Sequence, residues 1–439
     1  MNDSFSFKEF IVIVKKYHPI VKQANLIITE SEAKLLQARG GFDPNFGVDV
    51  LEKKWDNLTY YNRFNATFEI PTWYGISFHG DFNTNLGSYL NPEDVVPDAG
   101  LYGLGVSVSL AKDLIINKRL ATLKQAKLYK SQAEAENQLM VNEILYQASI
   151  SYFNWLKAYQ EYQLYVDFLK VASIRFEGIK QRFILGDCST IDTIEAGIAM
   201  NNRKLSVEKA KLNLKNMQYL MSNFVWIENI PVEIKDFVYP IQDIAKDVDE
   251  VLQISSLNTD LTMHPKLVSL NMKYRSLQVE KKNNINDLLP SINLKYNMLT
   301  NASDFANPFL NNYKAGLSIN YPFLVRKERA KLKLTQTKIQ GIGYEKLAAM
   351  WTLENKINMA RNKIESYVIQ INQAVQLNVG YKQLLKAEER KLEIGESSVF
   401  MLVSRENQWI QSRLKQIELE YLMYGSKGEL FNIFGAIIN

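Results

Sequence analysis

Asp192 and Glu195 stand three positions apart, a spacing that puts two carboxylates on one face of a helix. In the first turn of that helix, both acids answer the positive end of the macrodipole. The other side chains with chemical reach are isolated. Cys188 is the single cysteine, so no internal disulfide can form. His18, His79 and His264 lie too far apart for metal-ligand spacing, and His18 and His264 read as helix-boundary residues before proline. No glycine-rich phosphate loop and no nucleophile or catalytic-acid constellation occurs. The chain therefore reads as a non-enzyme that calls for no cofactor and no metal. Its function must rest on what its elements build.

Those elements come twice. His18-Pro19 returns as His264-Pro265 (264 − 18 = 246), and Pro44 returns as Pro290 at the same offset. Tyr102-x-x-Gly105 returns as Tyr313-x-x-Gly316 (313 − 102 = 211), and Leu185-Gly186-Asp187 as Ile394-Gly395-Glu396 (394 − 185 = 209). The order is kept throughout. The drop in offset places about 35 extra residues in the first copy, between Pro44 and Tyr102. Two copies of one large module are a tandem duplication and not a solenoid, which needs at least three short repeats.

Each copy holds a very long helix. Leu145, Ala148, Tyr152, Trp155, Tyr159, Tyr162, Val166 and Leu169 form a heptad seam, repeated at Leu353, Ile357, Ala360, Ile364, Tyr367, Ile371 and Ala374. The aromatic stripe at 152–162 reads as part of that packing seam. A helix of about 70 residues is roughly 105 Å long, a length that suits a rod, a tether or a tunnel wall. Between Gly41 and Ala111 the period falls to two. Tyr60, Asn62, Phe64, Ala66, Phe68 and Ile70 share one face, against Tyr61, Arg63, Asn65, Thr67 and Glu69. The same alternation marks 73–83, 103–110, 291–298 and 313–321. Such two-faced strands fit an outer-membrane barrel wall or a half-buried sheet on a soluble core. Their tyrosines and phenylalanines fit an interfacial girdle as well as plain β-propensity. Adjacency to helices of about 100 Å tilts the balance toward the barrel.

Composition sets further limits. No run of 18 apolar residues exists, which excludes a transmembrane helix. The net charge of +5 is spread along the chain with no dense basic run, so no nucleic-acid partner is expected. Met1-Asn2-Asp3-Ser4 lacks a basic and an apolar region, as in a cytoplasmic protein or a mature chain freed of its signal peptide. The stretch 225–260 is acidic, lacks both periods and reads as a connector packed outside the long helices.

Taken together in order, these residues resemble the TolC family of outer-membrane efflux channels, over essentially the whole chain. The resemblance rests on His18-Pro19, Pro44, the strand exits Val106 to Leu110 and Leu317 to Pro322, and the turn Arg182-Phe183-x-x-Gly186-x5-Asp192-x3-Ala196. It implies a mostly α fold with a membrane β-barrel portion, a trimeric α-barrel/β-barrel tunnel built from two tandem repeats. The first repeat spans 1–224, with strands at about 45–110, a long helix at about 111–183 and a helix at about 190–224. An acidic, equatorial-type connector covers 225–260. The second repeat spans 261–439, with strands at about 291–321, a long helix at about 323–394 and a helix at about 398–432. The family usually contributes four strands per chain, whereas this sequence offers six alternating segments. Either the barrel has more strands or the hairpin at 60–83 lies outside its wall.

The resemblance also implies a passive export duct in the outer membrane that extends into the periplasm, with any signal peptide removed. Its partners would be two further copies of the chain, outer-membrane lipid, a periplasmic adaptor protein, and an inner-membrane pump of the RND or ABC type. Cargo would be drugs, metals or secreted proteins. The turns Leu185-Gly186 and Ile394-Gly395 correspond to the adaptor-docking periplasmic mouth. Asp192 and Glu195 correspond to a cation-attracting collar, with Asp187, Glu396 and Arg405 as further gate candidates. The second copy departs from the pattern, with Met401 and Ser404 in place of the acids. A soluble periplasmic coiled-coil tether or adaptor without a pore is the alternative, and it leaves the two strand blocks unexplained.

Overall fold

Two hydrophobic periods in one chain produce two kinds of structure. A computed structural model describes residues 3–253, 261–301 and 312–435; the last part of the expected connector, 254–260, lies outside the described residues. The first copy runs β1 (Asp3–Phe5), α1 (Phe7–Tyr17), α2 (Pro19–Gly40), β2 (Asn45–Trp55), β3 (Leu58–Pro71), β4 (Ile76–Leu86), β5 (Leu101–Ser109), α3 (Lys118–Ile184) and α4 (Thr190–Ser222). Short elements follow: β6 (Trp226–Ile227), β7 (Ile230–Pro231), β8 (Val238–Pro240) and α5 (Ala245–Val251). The second copy runs α6 (Pro265–Asn286), β9 (Ser291–Asn301), β10 (Tyr313–Asn320), α7 (Arg326–Glu393) and α8 (Val399–Phe434). The duplication is carried into the elements. α2 and α6 each have 22 residues, and α3 and α7 have 67 and 68.

His18 and His264 open α2 and α6 in the same way. Their Nδ1 atoms accept the backbone N–H of Ile20 (3.2 Å) and of Lys266 (3.0 Å), so the imidazole does the work of an N-cap side chain. With Nδ1 accepting, Nε2 carries the proton, and in His264 it donates to the Ile433 carbonyl at 2.6 Å. Burial holds both rings below the ordinary histidine pKa, partly opposed by backbone partners at Asn223 and Ile433.

The described residues divide into two compact units. One comprises 1–26, 136–267 and 348–439. Its core is aromatic: Phe7 of α1 meets Tyr152 and Phe153 of α3 at 5.3 and 5.1 Å between ring centroids. Trp155 is fully buried beside Tyr152, and the Tyr152 hydroxyl donates to the Phe5 carbonyl at 2.8 Å. α1 is fixed by a capping box between Ser6 and Glu9. Val225, Ile234, Ile244, Val248 and Leu252 of the connector join this core. The acidic stretch is thus structural, with these five residues in the core beside α1 and α3 and Glu228, Glu233, Asp236, Asp243, Asp249 and Glu250 exposed. Along α7 the seam positions Ile357, Ala360 and Ala374 are buried.

The other unit comprises 27–135 and 268–347. Its sheet is antiparallel throughout, in the order β10-β9-β5-β4-β3-β2. Hairpin β2–β3 turns on Asp56 and Asn57, both at positive φ (52° and 61°), as a two-residue primed turn requires. The helical segments of this unit are tied by polar contacts: Lys130 to Glu32 (2.8 Å), Lys34 stacked on Tyr129, and Asn284 to Thr335 (2.9 Å).

Candidate functional site

Register gives the sheet two chemically opposite faces. One row across all six strands reads Phe46, Phe68, Gly80, Leu104, Met298 and Tyr313. The next row reads Asn45, Glu69, His79, Gly105, Asn297 and Lys314. A sheet resting on a soluble core would bury the apolar row. Here Phe46, Phe68, Phe78, Leu104, Leu317 and Ile319 are all exposed, a contiguous apolar surface of the kind that marks a membrane contact. Exposed aromatics flank it at both rims, Trp55, Tyr89 and Tyr313 at one and Trp73, Tyr74 and Tyr321 at the other, as interfacial girdles require.

The polar face is internally bonded. Gly103 and Gly105 on β5 have no side chain, and a Cβ at either would collide with Asp81 or Asn297. The space lets β4 reach β9 across β5: His79 Nε2 lies 2.6 Å from Asn297 Oδ1, and Asn297 donates to Asp81 at 3.3 Å. Asn83 donates to the same Asp81 carboxylate at 2.8 Å. At the rim, Arg63 pairs with Asp94 at 2.5 Å.

The second candidate site is the pair of helical turns in the other unit. α3 ends in a Schellman motif: the Asp187 N–H donates to the Arg182 carbonyl (2.9 Å), and the Gly186 N–H to Phe183 (3.0 Å). α7 ends identically, with Glu396 to Lys391 (2.8 Å) and Gly395 to Leu392 (3.2 Å). Gly186 and Gly395 sit at φ of 82° and 79° with open space around the absent Cβ. Backbone conformation alone requires glycine at both. Leu185 and Ile394, just before them, are 75% and 64% exposed. Asp187 and Glu396 are exposed beside them.

Asp192 stands at the third position of α4 and closes a capping box. Its carboxylate accepts the Ser189 N–H (3.1 Å) and hydroxyl (2.8 Å), while Ser189 Oγ accepts the Asp192 N–H (3.3 Å). Glu195, one turn on, is half-buried. In the second copy Ser398 still caps α8 through the Met401 N–H, but Met401 has nothing to return. Arg405 lies 3.8 Å from Glu388 and donates to Gln408, and Glu388 accepts from Ser397. The structure thus groups Arg405 with Glu388 and Asp192 with Ser189. Ile179, Ala196 and Val399 pack together with Phe176, Cys188 and Val403, so the two turns share one small core.

A buried charge cluster behind the turns has no sequence signature. Arg175 of α3 meets Glu406 of α8 at 2.6 Å, with Glu406 only 1% exposed. Arg203 of α4, also buried, donates to Asn407 at 2.6 Å. Burial pulls the Arg203 guanidinium below its usual pKa, against the attraction of Glu406. The partners Arg175 and Glu406 are 231 positions apart, beyond the reach of any spacing rule.

No protein-family model and no curated protein matches the sequence. Solved structures do match. The CmeC outer membrane channel of Campylobacter jejuni superposes with a TM-score of 0.67 at 14% identity, over 97% of this chain and 85% of that one. The outer membrane protein VceC of Vibrio cholerae gives 0.67 at 12% identity, over 98% and 96%. The open-state MtrE outer membrane channel of Neisseria gonorrhoeae gives 0.65 at 12% identity, over 98% and 88%. No described helix is long and apolar enough to cross a membrane. The chain has the fold of the outer-membrane channels, the α-barrel/β-barrel architecture that its resemblance to the TolC family implies.

Proposed function

We propose that three copies of this chain form a passive export duct of the TolC family through the outer membrane and into the periplasm. The observation that carries this reading is the six-stranded sheet with one exposed apolar face, one bonded polar face and two unpaired edges. In lipid, every unpaired backbone group costs several kcal/mol, so such a sheet must close on further copies. The large apolar side chains exposed along α7, among them Val368, Val375 and Val379, supply a second surface for neighbours to cover.

In this reading the turns at Gly186 and Gly395 form the periplasmic mouth. Leu185 and Ile394 are the apolar knobs that a periplasmic adaptor grips, and an inner-membrane RND or ABC-type pump supplies the energy. Three-fold symmetry brings three Asp192 carboxylates, with Glu195 behind them, around the constriction as a cation-attracting collar. Asp187 and Glu396 add charge at the rim, and Arg405, held by Glu388, stiffens the second turn.

The reading is tested on purified protein in detergent and in planar bilayers. The expected results are a particle of three times 50.6 kDa and single-channel conductance, with cation preference reduced by Asp192→Ala. A monomeric particle that stays silent in the bilayer would return the chain to the tether reading.

A further inference from the structure

We infer that the barrel wall is built from all six strands of each chain, so that three copies close an eighteen-stranded barrel (three sheets of six) through pairing of β2 in one copy with β10 in the next. This rests on the duct reading above and decides what the additional residues of the first copy do. The hairpin at 60–83 expected outside the wall is β3–β4, and it cannot lie outside because β4 is the partner of β5. The rival that the sheet allows is a wall of four strands, β10-β9-β5-β4, with hairpin β2–β3 lying outside it. That arrangement also closes, because β4 and β2 run in the same direction and either can meet β10 of a neighbour antiparallel.

Three observations favour six strands. Hairpin β2–β3 continues the sheet without a break: β3 pairs with β4 over ten residues, from Asn62 to Pro71, and β2 pairs with β3 over eleven. A wall ending at β4 would abandon the ten-residue ladder. The hairpin also has the faces of the wall. Phe46, Val48, Val50 and Phe68 continue the apolar face, and Asp49, Arg63, Asn65 and Glu69 the polar one. Outside the wall, Phe46 and Val50, 67% and 62% exposed, would face water or headgroups.

The two outermost strands, finally, are open. All eight residues of β10 and all but Gly47 of β2 are exposed. β10 has no proline, and β2 pairs regularly up to an irregularity at Lys53–Lys54. Protected edges carry such breaks; β10 has none, and β2 has none over 45–53, so these stretches are open to pairing. β2 leaves α2 and β10 enters α7, so the closing pair is antiparallel like every other pair in the sheet. Barrel diameter grows roughly in proportion to strand number, so this wall is about half as wide again as one of twelve strands.

The test is cross-linking of the full chain in a Cys188→Ser background, which preserves the hydroxyl-compatible contact to the Ile179 carbonyl. One set of double variants joins the proposed edges: Val48→Cys or Val50→Cys with Ala315→Cys or Leu317→Cys. The other joins the rival edges: Phe78→Cys or Phe82→Cys with the same two β10 positions. Oxidation or a short bis-maleimide should convert the first set to covalent dimers and trimers, and leave the second set monomeric in SDS. Cross-linking in the second set, or in neither set while the particle has trimer mass, overturns the six-strand wall. A monomeric particle instead overturns the duct reading itself, and the two failures are told apart by that mass.

Discussion

Two imidazoles hold the helix starts of both copies only while neutral, which gives the fold an acid limit. Nδ1 of His18 and of His264 accepts a backbone N–H, and protonation would turn that acceptor into a donor facing a donor. The folded pKa values are depressed by burial, whereas an unfolded histidine titrates near 6.5. The unfolded chain therefore binds protons more readily, so this stability is fully present above about pH 6.5 and lost as pH falls through the depressed folded values. His264→Asn keeps a capping oxygen and removes the titration. Its thermal midpoint should fall less than that of the parent between pH 7 and pH 5; equal slopes would remove His264 from the account. Under the proposed duct reading, the capping contact of Asp192 and its proposed collar charge can be separated. Ser189→Ala breaks the capping box from the other side and should cost about 1 kcal/mol with ion selectivity intact. Asp192→Asn should do the reverse, lowering cation preference in reversal-potential measurements with a smaller loss of stability. If both variants shift selectivity equally, the collar role of the Asp192 charge fails.

Three helices are locked behind the turns by one buried carboxylate. Glu406 of α8 compensates Arg175 of α3 and faces Arg203 of α4, so Glu406→Gln leaves the partly buried Arg175 and the buried Arg203 without their counter-charge. Breaking one partner of such a pair costs about 3–5 kcal/mol. The denaturant midpoint should drop accordingly, while Arg175→Met combined with Glu406→Met should recover the part of the loss that belongs to Arg175 and leave the part that belongs to Arg203. Failure of the double change to recover would show that packing, and not charge, governs the site. Elements of this kind divide into those that sequence reveals and those it does not. The long helices, the glycine turns and the alternating strands were legible because each follows from a local period or a backbone need that repeats at a fixed offset. The capping box is legible in principle from Ser189 three places before Asp192. Hidden from sequence were the Arg175–Glu406 pair and the role of the connector. Its Val225, Ile234, Ile244, Val248 and Leu252 enter the core from short elements with no period. The strand order was hidden as well, because β5 pairs with β9 across almost two hundred positions.

At the scale of the whole molecule, a single chain leaves an extended apolar surface uncovered, which the proposed trimer would cover. Val368, Val375 and Val379 of α7 are spaced by seven and four, one stripe of a helix, and all three are exposed. Val368→Glu combined with Val375→Glu should leave the helical content of the chain unchanged and lower the detergent particle from trimer to monomer mass. A trimer that persists would mean the stripe faces lipid or solvent, with assembly resting on the sheet edges alone. The extra hairpin carries a further consequence, one of parity. Because β2 runs outward from α2 and β5 runs back toward α3, the first copy must contribute an even number of strands to this sheet. A single added strand would reverse β5 and deliver the start of α3 to the opposite rim of the sheet. A lineage of such chains can therefore gain or lose wall only a hairpin at a time, and three-fold assembly multiplies each step to six strands. Pore width in these proteins would then be inherited in discrete sizes.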